Sequence, residues 1–280
     1  MEPTGFGQMT IEKGHTLKDL STGVRARDFV TSHVWLPLFA FAVAFAVLEA
    51  FALDPVIARA WYFNGQPGHW LGTGAGDWWA RALLHSGGRG FVRAIAALAI
   101  AAWALSFVMA RARNWRRPAG FVAVAIVLST AIVGALKVAT NVDCPWDLVG
   151  FGGHNPYVAL FADRPDSLAR ARCFPGAHAS SGFALMCFYF VWRDRSPRLA
   201  RWGLGLGVAV GILFSIGQEA RGAHFISHDL VSAAIVWSLQ VALYCWLLRP
   251  TSSAIAVGAT GVSVVPRTRE FSRAGLLRNM

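Results

Sequence analysis

Residues 119–139 read AGFVAVAIVLSTAIVGALKVA, an apolar stretch whose one ionisable side chain, Lys137, comes near its end. The hydrocarbon core of a bilayer is about 30 Å thick, and about 20 helical residues cross it. A spanning segment must satisfy its own backbone hydrogen bonds, which favours a helix. This stretch therefore predicts a transmembrane helix.

Five further blocks have the same character, and the composition agrees with a membrane protein. The chain of 280 residues is 55% hydrophobic and 15% charged, whereas soluble domains average about 25% charged residues. A soluble core would not hold six such blocks. We predict an all-α bundle of six transmembrane helices in residues 34–249, between a cytoplasmic segment 1–33 and a disordered cytoplasmic tail 250–280. The other five blocks are Trp35–Leu53, Phe91–Ala110, Pro175–Trp192, Leu199–Gly217 and Leu230–Leu248.

The basic residues predict which side each loop faces. Of the 26 Lys and Arg residues, 17 lie in 1–33, 111–118, 193–201 and 249–280. Short cytoplasmic loops carry such an excess, so both termini should be cytoplasmic. Nucleic acid is not an expected partner, because no recognition motif accompanies the charge. On the outer side, Asp77–Leu84 predicts a short amphipathic helix in the membrane interface, which caps the bundle or admits a lipid.

Three polar clusters fall on that outer side, in residues 137–148, 173–182 and 221–229. His224 and His228 are four residues apart, and Arg221 comes three residues before His224. If the segment is helical, the three side chains share one face. Ionisable residues at the mouth of a membrane helix are functional candidates.

These residue types are typical of phosphoryl transfer. Lys137 and Arg221 would neutralise phosphate oxygens, and the free N–H groups at Gly176 and Ala177 would bind an anion at a helix start. One histidine would attack phosphorus and another would protonate the leaving oxygen. The spacing of His224 and His228 also suits zinc. Because nearby cations would oppose a metal ion, we predict neither a metal nor another cofactor.

The clusters resemble the type-2 phosphatidic acid phosphatase (PAP2) superfamily, whose pattern is K-x6-R-P, P-S-G-H and S-R-x5-H-x3-D. The match is especially close to a bacterial branch whose motifs read K-x6-C-P-W-D-L, C-F-P-x-x-H-A-S and R-G-A-H-F. The resemblance covers roughly residues 33–248. It implies that Lys137 binds phosphate and that His178 protonates the leaving group.

The sequence departs from the family pattern at several positions. Cys144 stands where the first-motif arginine would be, so that contact is missing or is supplied by Arg170 or Arg172. One alignment makes His224 the nucleophile, with Gln218 at the arginine position and His228 at the orienting aspartate. The rival alignment makes His228 the nucleophile, seven residues after Arg221. We favour His224, and the orienting role is open between His228 and Asp229.

The resemblance implies a metal-independent enzyme of a bacterial inner membrane that hydrolyses a lipid phosphate or diphosphate through a phosphohistidine, on the periplasmic side. The expected partners are the phosphorylated lipid and the bilayer, and the oligomeric state is left open. Cys144 and Cys173 would form a disulfide if that side is oxidising. Transfer of the phosphoryl group between lipids is one alternative. A non-enzymatic transporter or assembly protein is another.

Overall fold

The structure is a computed structural model that describes residues 27–74, 76–160 and 162–249. Helices hold 73% of these residues, and no β-strand occurs among them. The predicted all-α class is therefore confirmed. The predicted tail 250–280 and the first 26 residues lie outside the described residues, and residues 27–33 of the predicted N-terminal segment are helical.

Seven helices are named here in chain order. Five of them are long and apolar enough to cross a membrane: α1 (Arg27–Ala50), α3 (Trp79–Val108), α4 (Ala110–Ala139), α6 (Pro197–Glu219) and α7 (Ile226–Leu248). The short helix α2 spans Leu53–Trp61. Helix α5 covers residues 177–192 in three consecutive pieces, Ala177–Phe183, Ala184–Met186 and Cys187–Trp192.

Helix α5 corresponds to the predicted fourth span and packs against α4, α6 and α7. It is shorter than the other candidate spans, and it is heavily buried. Ala179, Ala184, Leu185 and Cys187 are completely inaccessible. The apolar side chains of α5 therefore pack largely against neighbouring helices.

Small residues bring α5 and α6 close together. A Cβ atom on Gly207 would overlap the backbone of Met186, and one on Gly203 would meet the backbone of Phe188. Gly211 likewise leaves room for the Phe183 ring. The glycines of the predicted fifth span thus serve close helix packing, as is common in membrane proteins.

The prediction for Asp77–Leu84 was wrong, because this segment is not a separate interfacial helix. Its residues from Trp79 onward form the first part of the continuous helix α3. The first part, Trp79–Gly87, is a π-helix, and the glycines that follow do not end the helix. Gly88 is needed for packing, since a Cβ atom there would overlap the ring of Phe214 on α6.

Candidate active site

Polar side chains from five parts of the chain surround one cavity of about 350 Å³. Lys137 comes from the end of α4, His178 from the start of α5 and His224 from the loop before α7. The structure thus brings together one residue from each predicted cluster. The complete lining is His85, Arg89, Val92, Arg93, Thr130, Lys137, Ala177, His178, Ser181, Gln218 and His224.

His224 is buried and has a close contact at each ring nitrogen. Its Nε2 lies 3.5 Å from Nζ of Lys137, and its Nδ1 lies 3.4 Å from Nδ1 of His228. Burial lowers the pKa of His224 well below its usual value, and the charges of Lys137 and His228 lower it further. The imidazole is therefore neutral near pH 7, as a nucleophile must be.

His228 lies behind His224 and does not line the cavity. Its Nδ1–H donates to the carbonyl oxygen of Cys173 at 3.0 Å. The rings of Phe174 and Phe225 contact the His228 ring at nearly right angles. Both histidines are buried, but His224 lines this cavity, whereas His228 lines a separate pocket beside Asp54 and Phe174.

His178 also lines the cavity. Its ring stacks on Phe214, with centroids 4.5 Å apart, and its Nε2–H donates to the carbonyl oxygen of Leu84 at 3.0 Å. The π-helical start of α3 thus provides the acceptor that orients this histidine. With Nε2 engaged, Nδ1 is the nitrogen that can exchange a proton with a ligand.

Besides His228, three more of the predicted site residues do not line the cavity. Arg221 is not on a helix with His224, because α7 begins only at Ile226, so the predicted shared face was wrong. The N–H of Gly176 donates to the carbonyl oxygen of His228 at 3.1 Å. Asp229 is buried, and within the described residues neither of its carboxylate oxygens has a hydrogen-bond partner.

Sequence reasoning missed the contribution of α3. His85, Arg89 and Arg93 all line the cavity, and their spacing of four residues places them on one helical face. That spacing was the available signal, but it does not say which neighbouring helix the face meets. Arg170, one of the predicted substitutes for the missing arginine, instead donates to the carbonyl oxygen of Val138.

A disulfide joins Cys144 to Cys173, with Cα atoms 5.1 Å apart. It connects the loop after α4 to the segment before α5, as the sequence suggested. In the same loop, Arg164 and Asp143 form a buried ion pair at 2.7 Å. These links hold the Cys173 carbonyl, which accepts from His228, in a fixed place.

The electrostatics of the cavity favour an anion. Lys137, Arg89 and Arg93 line it, and none of its described lining residues is acidic. Among the described residues, no group of three or more His, Cys, Asp or Glu side chains could hold a metal ion. Cations beside three histidines form a site that can bind and react with a phosphoryl group.

Residues 118–252 match the family model described as PAP2 superfamily. The matched region includes Lys137, His178 and His224, and it excludes α3. The match confirms the resemblance at the level of the superfamily. No curated protein and no solved structure matches the chain.

Proposed function

We propose that the protein is a membrane phosphatase acting on a lipid phosphate or diphosphate, because residues 118–252 match the PAP2 superfamily model. The observation that carries the proposal is the meeting of Lys137, His178 and His224 around one cavity. Each comes from a different predicted cluster, and together they supply a cation, an acid and a nucleophile. The narrower resemblance to the bacterial branch with the CPWDL motif belongs to this proposal as well.

In the proposed reaction, Nε2 of His224 attacks phosphorus and the bond from phosphorus to the leaving oxygen breaks. His178, protonated at both ring nitrogens once the phosphate anion is bound, gives its Nδ1 proton to that oxygen and becomes a neutral imidazole whose Nε2–H stays on Leu84. Water then attacks the phosphohistidine, His178 takes a proton from the water, and the P–N bond breaks to release phosphate. Lys137, 3.5 Å from the attacking nitrogen, stabilises the negative charge on the phosphoryl oxygens.

His228 positions His224 in this proposal by contact, with the two Nδ1 atoms 3.4 Å apart, and not by accepting a hydrogen bond, because its Nδ1–H is donated to Cys173. Its own hydrogen bond to Cys173 fixes its ring. Asp229 is assigned no contact with the nucleophile. Its carboxylate lies against Gly176, where even a methyl group would overlap it.

We place six spans in the membrane. Five are the long helices α1, α3, α4, α6 and α7, and the sixth is the shorter helix α5. Both termini are cytoplasmic in this arrangement, and the cavity opens on the periplasmic side. The disulfide supports this orientation, since disulfides persist in oxidising compartments. The cavity also reaches from Lys137 to Thr130 on α4, about 10 Å along the helix at 1.5 Å per residue, which suits a headgroup entering from lipid.

The test is phosphate release by the purified protein in detergent, with EDTA present, from a panel of lipid monophosphates and diphosphates. We expect release by the wild type and none by His224→Ala or His178→Ala. His154→Ala is the matched control, because His154 is exposed on the same outer segment and does not line the cavity.

Each other outcome has a defined meaning. Full activity of His224→Ala would overturn the phosphohistidine mechanism, and loss of activity in EDTA would overturn metal independence. Transfer of the phosphoryl group to a second lipid without release would replace the phosphatase by a phosphotransferase. Neither release nor transfer from any lipid would overturn the enzymatic proposal.

A further inference from the structure

The cations of the cavity come mainly from a helix outside the family match. Arg89 and Arg93 lie on α3, and both line the cavity beside Lys137. In the sequence they belong to the apolar part of a membrane-crossing helix. Arginine is costly there and is retained where it faces a functional cavity.

Arg89 is held in position by a chain of polar contacts. One of its terminal nitrogens donates to Nε2 of His85 at 2.9 Å. The Nδ1 of His85 lies 3.0 Å from the side-chain amide of Gln218 on α6. Because both ring nitrogens of His85 are engaged, its ring is oriented, and its Nε2 offers an acceptor to the exposed guanidinium of Arg89.

The same region connects directly to the proposed acid. The rings of His85 and His178 are 4.7 Å apart, and His178 binds the carbonyl oxygen of Leu84, the neighbour of His85. Arg89 is therefore one helical turn from His85, whose ring contacts the proposed acid. Arg93 lies one further turn along the same face of α3.

We propose that Arg89 and Arg93 of α3 are phosphate-binding residues of this active site, with His85 and Gln218 as positioning residues for Arg89. The inference rests on the proposed phosphatase reaction. It also accounts for the two positions where the sequence lacks an expected arginine. Cys144 is engaged in the disulfide, and Gln218 supports His85, so guanidinium groups reach the cavity from α3 instead.

The experiment compares Arg89→Gln and Arg93→Gln with Arg81→Gln in two assays on the purified full chain. Arg81 is the matched control, because it lies on the same helix, is paired with Asp77 and does not line the cavity. We expect kcat/KM to fall about 10²-fold in each cavity variant, the usual effect of losing one donor to a developing charge. It should stay within about twofold in Arg81→Gln, as expected for an exposed ion pair.

The second assay measures the Kd of inorganic phosphate in the His224→Ala background, which separates binding from catalysis. We expect the Kd to rise about tenfold in Arg89→Gln and in Arg93→Gln, because each loses a charge-assisted hydrogen bond to the anion. His85→Ala should raise the Kd in the presence of Arg89 and add nothing in Arg89→Gln. A structural role for His85 would instead give additive effects.

The two assays distinguish failure of this inference from failure of the proposed function. If wild-type activity depends on His224 while both arginine variants keep their activity and phosphate affinity, the inference is overturned and the phosphatase stands. If the wild type releases no phosphate from any lipid but the arginine variants lose phosphate binding, the anion site stands and the phosphatase falls. Unchanged phosphate affinity in both variants overturns the inference in either case.

Discussion

The ammonium nitrogen of Lys137 lies 3.5 Å from Nε2 of His224. The contact joins the end of α4 to the loop before α7. A positive charge at this distance favours the neutral form of an imidazole. Lys137 is therefore placed to act twice, first on the protonation of the nucleophile and then on the charge of the phosphoryl group.

This contact predicts the pH dependence of the reaction. Burial lowers the pKa of His224, and the charge of Lys137 lowers it further. The wild type should therefore keep its activity until the pH falls below about 6.5, the usual pKa of histidine, because His224 is protonated only at lower pH. In Lys137→Gln the pKa of His224 should rise, so the acid limb of the kcat/KM profile should move to higher pH. Measuring both proteins on the same lipid cancels the ionisation of the substrate.

A second effect of Lys137→Gln is independent of pH. On the alkaline plateau, kcat/KM should still fall by tenfold or more, roughly the effect of losing one stabilising donor. An unchanged acid limb together with an unchanged plateau would contradict both roles of Lys137.

Trapping the intermediate separates His224 from His228. The protein is incubated with a radioactive lipid phosphate, and acid-labile label on the protein is measured. His224→Ala should give no phosphohistidine. His228→Ala should still form it, at a reduced rate, because the side chain that contacts His224 is lost. Label that persists in His224→Ala and disappears in His228→Ala would favour the rival alignment.

The sequence predicted the parts of this fold that follow from local chemistry. Long apolar blocks gave the helix class, and polar clusters at block ends indicated Lys137, His178 and His224. The disulfide between Cys144 and Cys173 followed from their positions beside two of those clusters. In each case, the relevant information lies within a short segment of the chain.

The missed features depend on contacts between distant segments. Asp77–Leu84 was expected to be a short separate helix, but the helix continues through Gly88, where the Phe214 ring leaves no room for a side chain. The spacing of Arg89 likewise gives the helix face on which it lies, but not which neighbouring helix or cavity that face meets. Arg221 was misplaced because the segment before Ile226 is a turn, in which Gly222 has a φ of +70°.

The packing of α6 on α5 predicts a difference between neighbouring glycines. Gly207→Ala places a methyl group on the backbone of Met186, whereas Gly205 has open space around it. We expect Gly207→Ala to lower the free energy of unfolding by about 1–3 kcal/mol, the usual cost of overpacking. Gly205→Ala should be neutral or slightly stabilising, because alanine favours a helix. Unfolding in detergent measures both, and equal effects would contradict this packing.

The disulfide predicts a covalent constraint on the active site. Its closed loop has a sequence separation of 29, which corresponds to about 3–4 kcal/mol of stabilisation in the chain-entropy model. The Cys144→Ser, Cys173→Ser double variant should therefore unfold at a lower temperature. Peptide mapping without reductant should identify one linked peptide pair. Two alkylated free thiols at these positions in protein isolated from the membrane would contradict the assignment.

Asp54 on α2 predicts the last effect, since it caps α7 from another part of the chain. Its Oδ1 accepts the N–H of Ser227 at 3.1 Å, in the first turn of the helix that follows His224. Asp54→Ala should lower the free energy of unfolding by about 0.5–2 kcal/mol, as for the loss of a helix cap, whereas Asp54→Asn keeps an acceptor oxygen.

Burial raises the pKa of Asp54, so the folded state holds the carboxyl proton of Asp54 more tightly than the unfolded state does. The stabilisation from Asp54 is therefore complete at low pH and is lost as the pH rises through the folded-state pKa. Asp54→Asn lacks that proton, so it should lose less stability than the wild type when the pH is raised from about 4, the usual pKa of an aspartate, to about 8. Thermal unfolding at the two pH values measures this difference, and parallel pH profiles for the two proteins would contradict the assigned role.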